Sequence, residues 1–244
     1  MGKQFLEKIK SKIKKVVCCT SGKSIVHILH IGKTGGSAVK QALEPCTQSA
    51  NFIIELHDHS FSLKDVPEGE KVVFFLRDPV KRFVSGFYSR KRKGQPRYNI
   101  PWTPEEKDAF GQFDTPNELA LSLSSTSGKV KASAENAMKG IKHVNSSYWD
   151  WFGDMTYFSS RISDILFIGF QENLDENFTK LLRILNLPSS VTLSGDKVIA
   201  HKNPNHLDTH LEPEAIQNLK VWYKKDYSFY NYCRQKAEEI NNNN

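Results

Sequence analysis

Long apolar runs are missing from this chain of 244 residues. No stretch approaches the roughly 18 residues that a membrane-crossing helix requires, so no transmembrane span is expected. No secretion leader is expected in the opening "MGKQFLEKIKSKIKKVVCC", which has lysines but no uninterrupted apolar segment behind them. Leu6 stands where N-myristoylation needs Ser or Thr. Cysteine is sparse: Cys18, Cys19, Cys46 and Cys233 are the only four. None is spaced C-x-x-C, which excludes the common zinc and dithiol motifs. They read as free thiols in a reducing compartment, with a Cys46–Cys233 bridge as the alternative. Acidic residues are outnumbered, 27 against 34 Lys and Arg, for a net charge of +7. That balance favours anionic partners, or serves solubility alone.

What is present has the rhythm of an α/β protein. "SIVHILHI" (24–31), "NFIIELH" (51–57), "KVVFFL" (71–76) and "DILFIGF" (164–170) read as strands. "SAVKQAL" (37–43), with Ser37 as its N-cap, reads as a helix. So does "RDPVKRFVSGFYSRKR" (77–92), where Asp78 caps and Pro79 takes the first turn. "NLDENFTKLLRILNL" (173–187) and the run 211–233 are further helices. Strand–turn–helix repeats of this kind predict a parallel sheet with helices on both faces, a three-layer α/β/α architecture. Residues 1–23 form a separate basic segment with Phe5, Ile9, Ile13 and Val16 at helical spacing. It is expected to pack on the domain or to lie on an anionic membrane surface. The single domain covers 24–235. Its stretch 93–160 is less regular: it holds a candidate helix at 115–125, an expected mobile stretch "SSTSGKVKASAEN" (124–136) and the aromatic cluster "SSYWDWF" (146–152). The tail 236–244 is expected to be disordered.

The stretch "HILHIGKTGGSAVKQAL" (27–43) has the shape of a phosphate-binding loop without its usual spelling. In G-x-x-x-x-G-K-[ST] the first glycine would fall at His27. The shorter "SGKS" (21–24) precedes its strand and has Val17 upstream, so it is no phosphate loop either. Gly32, Gly35 and Gly36 nevertheless let backbone N–H groups approach an anion, Lys33 adds a charge, and Thr34 and Ser37 offer hydroxyls. The alternative is a tight turn with a surface lysine. A second anion element is Arg77, where a strand ends, with Ser85 two helical turns on. Two histidines, His57 and His59 in "ELHDHSF" (55–61), suit a base, a metal pair or plain polar loop positions.

"HIGKTGGSAV" followed by "FFLRDPVKRFVSGFYS" resembles the sulfotransferase superfamily, in particular its heparan sulfate 2-O-sulfotransferase-like carbohydrate branch and bacterial relatives. "ILFIGFQENLDENFTKLLRILNL" and the ending from His201 onward extend the likeness. It implies the P-loop-like sulfotransferase fold and, as donor, 3′-phosphoadenosine 5′-phosphosulfate. The loop 32–37 would hold its 5′-phosphosulfate, and Arg77 with Ser85 its 3′-phosphate. His59 would be the catalytic base, with Lys33 stabilising the leaving phosphate, His57 an auxiliary contact and Lys202 touching a phosphate. Asp58 stands where the family often has glycine. On the acceptor side His143, Trp149 and Trp151 are candidates to line the cleft, and Arg90, opening the basic patch 90–97, to attract an anionic glycan. No metal is needed, and no nucleic acid is expected. The acceptor is a glycan or another hydroxyl compound, and the cytoplasm is the expected compartment, with the Golgi lumen or a membrane surface as alternatives. A P-loop nucleotide kinase or hydrolase, and a non-catalytic polyanion-binding module, are the competing readings.

Overall fold

A computed structural model describes residues 22–194 and 207–242. Four strands are present among them: β1 (Ser24–Ile28), β2 (Phe52–Leu56), β3 (Lys71–Leu76) and β4 (Ile165–Phe170). The helices are α1 (Gly36–Leu43), α2 (Pro79–Lys91), α3 (Pro104–Gln112), α4 (Pro116–Ser122), α5 (Gly128–Gly140), α6 (Trp149–Phe152), α7 (Met155–Ser160), α8 (Leu174–Ile184), α9 (Pro213–Trp222) and α10 (Lys224–Asn242). The strands form one parallel sheet in the order β2-β1-β3-β4. β3 and β4 are nearly wholly buried, as their β-branched and aromatic runs require.

The sheet is covered on both faces. Val39 and Leu43 of α1 pack with Phe178, Leu181 and Leu182 of α8 against Val26, Ile28, Val73 and Phe75. On the other face Phe229 and Cys233 of α10 meet Leu29, Val72, Phe74, Phe152 and Phe158. A third cluster, built by α2, α3, α4, α5 and α9, stands apart from the sheet around Phe83, Phe87 and Leu119. β1 has β2 on one side and β3 on the other, so the winding reverses between β1 and β3. In open α/β sheets ligands settle at such a reversal, beyond the carboxyl ends of the strands. The loops after β1 and β3 both open there.

Both outer strands are partnered. On β4 the Ile168 N–H donates to Asn241 Oδ1 and the Ile168 carbonyl accepts from Asn241 Nδ2, each at 3.0 Å, while the Phe170 N–H donates to Asn177 Oδ1 at 2.9 Å. On β2 the Ile54 N–H donates to the Thr47 carbonyl and the Ser49 N–H to the Phe52 carbonyl.

Three expectations are corrected. Residues 236–242 are helical and not disordered: Cys233, Ala237 and Ile240 lie on one buried stripe of α10. The stretch 124–136 is largely the helix α5, which buries Ala134, Ala137 and Met138. Ser37 is not the N-cap of α1. The helix starts at Gly36 after Gly35, whose φ of 91° suits glycine alone, and the Ser37 hydroxyl lies 3.4 Å from His30 Nε2. Asp78 caps α2 by accepting from the Lys81 N–H, with Pro79 in the first turn, as the sequence predicts. The basic segment at the start, with its expected packing or membrane contact, lies outside the described residues almost entirely. Cys46 and Cys233 are free thiols. No helix among the described residues is long and apolar enough to cross a membrane.

Candidate active site

The loop after β1 is bent around small residues. Lys33 takes a left-handed φ of 68° and Gly35 one of 91°, and a Cβ on Gly36 would stand 2.4 Å from His30 Cδ2. The Thr34 hydroxyl donates to the Ile31 carbonyl at 3.0 Å, so its proton braces the loop. The Lys33 ammonium is largely desolvated, and Arg77 and Arg92 lie near enough to repel it. Burial first, then these two cations, depress its pKa from 10.5 to about 7. A cluster of positive charge of this kind suits an anion.

The second element meets the first. Arg77 Nη1 reaches the Lys33 carbonyl at 3.5 Å, and Arg77 Nε is buried without a hydrogen-bond partner. Burial lowers the Arg77 pKa, against the opposing pull of Glu172. Glu172 Oε1 accepts from the Asp78 N–H at 2.8 Å. The Tyr148 hydroxyl donates to the Arg77 carbonyl and accepts from the Arg77 N–H at 3.2 Å, which fixes the strand end from behind. Ser85 is buried in the second turn of α2.

The loop after β2 carries His59 into the same region. His59 Nδ1 stands 2.9 Å from the His30 carbonyl oxygen, which can only accept. The proton therefore resides on Nδ1, and Nε2 keeps the lone pair a base needs. Desolvation is the main cause holding the His59 pKa below 6.5, with Lys33 adding to it. His59 lines a cavity of about 310 Å³ together with Gly32, Ser60, His143, Ser146, Asp150 and Trp151. The Trp151 indole donates to the His59 carbonyl at 2.8 Å. His143 has a φ of 67°, and burial, then Lys33 and His59, push its pKa from 6.5 to about 3, so it is a neutral imidazole in the wall. Asp58 pairs with Lys40 of α1 at 2.6 Å, which ties the histidine loop to the helix after the anion loop.

Not every sequence candidate arrives at this cavity. His57 is absent from its lining. It lies 2.8 Å from His27 Nδ1 through Nε2, and His27 Nε2 lies 2.7 Å from Glu70. With Glu55, these histidines offer three potential metal-ligand atoms within 4.8 Å. Yet the two rings are within 14° of coplanar and their centroids 5.0 Å apart, so the nitrogens lie nearly on the line of centres. That arrangement is one of a shared proton, since ligands of one tetrahedral ion must aim at a common point off that line. Two acceptor-side expectations are corrected. Arg90 is 3% exposed and forms a two-point ion pair with Glu106, at 2.6 Å for each contact, so it holds α2 to α3 and does not face an acceptor. Trp149 packs beside Phe229, ring centroids 4.9 Å apart, and its neighbour Trp151 lines the cavity instead. Lys202 lies outside the described residues.

Sequence reasoning missed Arg82, Arg92, Tyr148 and Glu172. Arg82 and Arg92 stand in basic runs that look like solvated helix. Tyr148 and Glu172 reach Arg77 only through the fold.

No curated protein gives a significant sequence match. The model of the sulfotransferase family matches residues 12–233, a span that takes in the loops after β1, β2 and β3 and the whole sheet. Four parallel strands flanked by helices agree with it. The chain belongs to the sulfotransferase family, and its chemistry is sulfuryl transfer.

Proposed function

We propose that the chain moves a sulfuryl group from 3′-phosphoadenosine 5′-phosphosulfate to a hydroxyl of an acceptor, a carbohydrate by preference. The contact between the two anion elements supports this most: Arg77 touches the Lys33 carbonyl, and the cavity of the free-nitrogen histidine begins at Gly32, one residue before Lys33. A donor with phosphate groups at both ends of an adenosine asks for two cationic turns side by side. Arg77 Nε, buried and unpartnered, fits the demand for an oxygen anion at the second of them.

In the reaction His59 Nε2 takes the acceptor hydroxyl proton as the acceptor oxygen bonds to sulfur. The bond from sulfur to the 5′-phosphate oxygen breaks, and adenosine 3′,5′-bisphosphate leaves with the electron pair. Lys33, charged once the anion is bound, offsets the charge growing on that oxygen. The neutral His143 and the indole edge of Trp151 shape the acceptor side of the cavity. Cations and backbone donors suffice for this step, and a metal ion has no assigned part in it.

The test is transfer of labelled sulfate to a panel of sugars, beside a thermal-shift panel. Adenosine 3′,5′-bisphosphate should stabilise the protein. Stabilisation by ATP with magnesium, or by polyanions alone, would favour a kinase-like enzyme or a binding module instead. Undiminished turnover in both Lys33→Ala and His59→Ala proteins would refute the roles of these two residues.

A further inference from the structure

Arg82 takes no part in the proposed transfer, yet it is 3% exposed and bonded to two residues that line the cavity. Its Nε donates to the Gly32 carbonyl at 3.0 Å and its Nη1 to the Ser146 carbonyl at 2.8 Å. Its guanidinium carbon lies 4.8 Å from the Tyr148 ring centre and 5.6 Å from that of Trp151. Nη2 is buried without a partner, and among the described residues no carboxylate stands within ion-pair distance of the group.

Gly32 belongs to the anion loop. Ser146 belongs to the segment that also carries Tyr148, which holds the Arg77 backbone, and Trp151, which holds the His59 carbonyl. One guanidinium therefore touches, at one remove, the loop of Lys33, the backbone of Arg77 and the support of His59. Gly86, one helical turn further along α2, allows this segment to come close: a Cβ there would meet the His143 backbone at 3.2 Å.

Stability alone does not call for a cation at this position: no carboxylate touches it, its desolvation cost is offset by two carbonyls, two aromatic faces and the more distant Asp226, and such buried charges are seldom more stabilising than an apolar side chain. An apolar side chain would fill the space, and a lysine could point at one carbonyl. Only a planar fork holds two carbonyls in fixed directions. We infer that Arg82 is a positioning residue: it clasps the anion loop to the acceptor-side segment and so sets the distance between the sulfur and His59. The inference rests on the proposed transfer reaction.

The test compares Arg82→Lys and Arg82→Met with the wild-type chain in two readouts. The first is kcat and donor KM for labelled sulfate transfer. The second is hydrogen exchange of the Trp151 indole and the amides of residues 32–37. Both variants should lose about 100-fold in kcat while donor KM stays within about threefold. Exchange at the Trp151 indole should be faster in both. An Arg82→Lys protein with wild-type kcat, or with unchanged indole exchange, overturns the clasp. Should Arg82→Met fail to fold, the charge-keeping Arg82→Lys decides by itself. A wild-type chain that transfers no sulfate defeats the reaction, and the exchange readout still decides whether the clasp exists.

Discussion

In the proposed reaction Lys33 is the residue whose protonation is tied to anion binding. Its pKa of about 7 means that near pH 8 the free protein carries this amine mostly neutral, while a bound bisphosphate requires it charged. Binding at pH 8 should therefore take up about one proton. Calorimetric titrations in buffers of different ionisation enthalpy would show this as a buffer-dependent heat, and a heat independent of buffer would contradict it. The sign for folding is the opposite of an ordinary ion-paired lysine. The folded value lies below the unfolded 10.5, so between pH 7 and 10.5 the unfolded chain binds more protons and stability rises with pH. As the proposed base, His59 would set the other side of the rate profile. Its pKa sits below 6.5, so kcat/KM should fall only as pH drops beneath that value, and fall again above about 7 as Lys33 in the free protein loses its proton. His59→Asn should remove the acidic limb and about 100- to 10,000-fold of the rate. A His59→Asn protein that keeps that limb would point to another base.

Among the elements, α2 carries the most responsibilities, and only its beginning is readable in the sequence. Asp78 and Pro79 announce the helix start, because capping is local chemistry. Arg90 reads as the front of a solvated basic patch, since nothing nearby in sequence reveals Glu106 sixteen residues on. Removing one member of that buried pair should cost about 3–5 kcal/mol. Chemical denaturation of Arg90→Met checks this, and an Arg90→Met/Glu106→Leu protein should regain most of the loss. If Arg90→Met is as stable as wild type yet weakens acceptor affinity, the residue belongs to the acceptor after all. The strands and the anion loop are legible because β-branched runs and clustered glycines act within a few residues. α5 is not, because serines and glycine mask its buried alanines. The last turns of α10 are hidden by their polar composition, although Cys233, Ala237 and Ile240 keep helical spacing. The candidate site is partly legible: Lys33, His59 and Arg77 announce themselves in motifs. Arg82 and Tyr148 do not, since their partners lie 50 to 71 residues away by chain — Gly32 and Ser146 for one, Arg77 for the other — and only the winding of the sheet brings them together.

For the whole molecule, one aromatic assembly joins the last helix to the sheet and to the acceptor-side segment. Phe229 is fully buried against Phe74, Tyr148, Trp149, Phe152 and Phe158. Phe229→Ala should destabilise the protein by about 3–5 kcal/mol, read from the denaturant midpoint. A loss below about 1 kcal/mol would mean that α10 is only loosely attached. The asparagines on β4 have a different consequence. A side-chain amide imitates a peptide group, so Asn241 and Asn177 occupy positions that a foreign strand would need. The loop at Thr47 and Ser49 does the same for β2. With these backbone groups taken, the two outer strands offer a foreign strand fewer open positions among the described residues, which works against edge-to-edge pairing of copies. An Asn177→Ala/Asn241→Ala protein should lose that safeguard and form β-rich aggregates on gentle warming, while the wild-type chain stays dispersed.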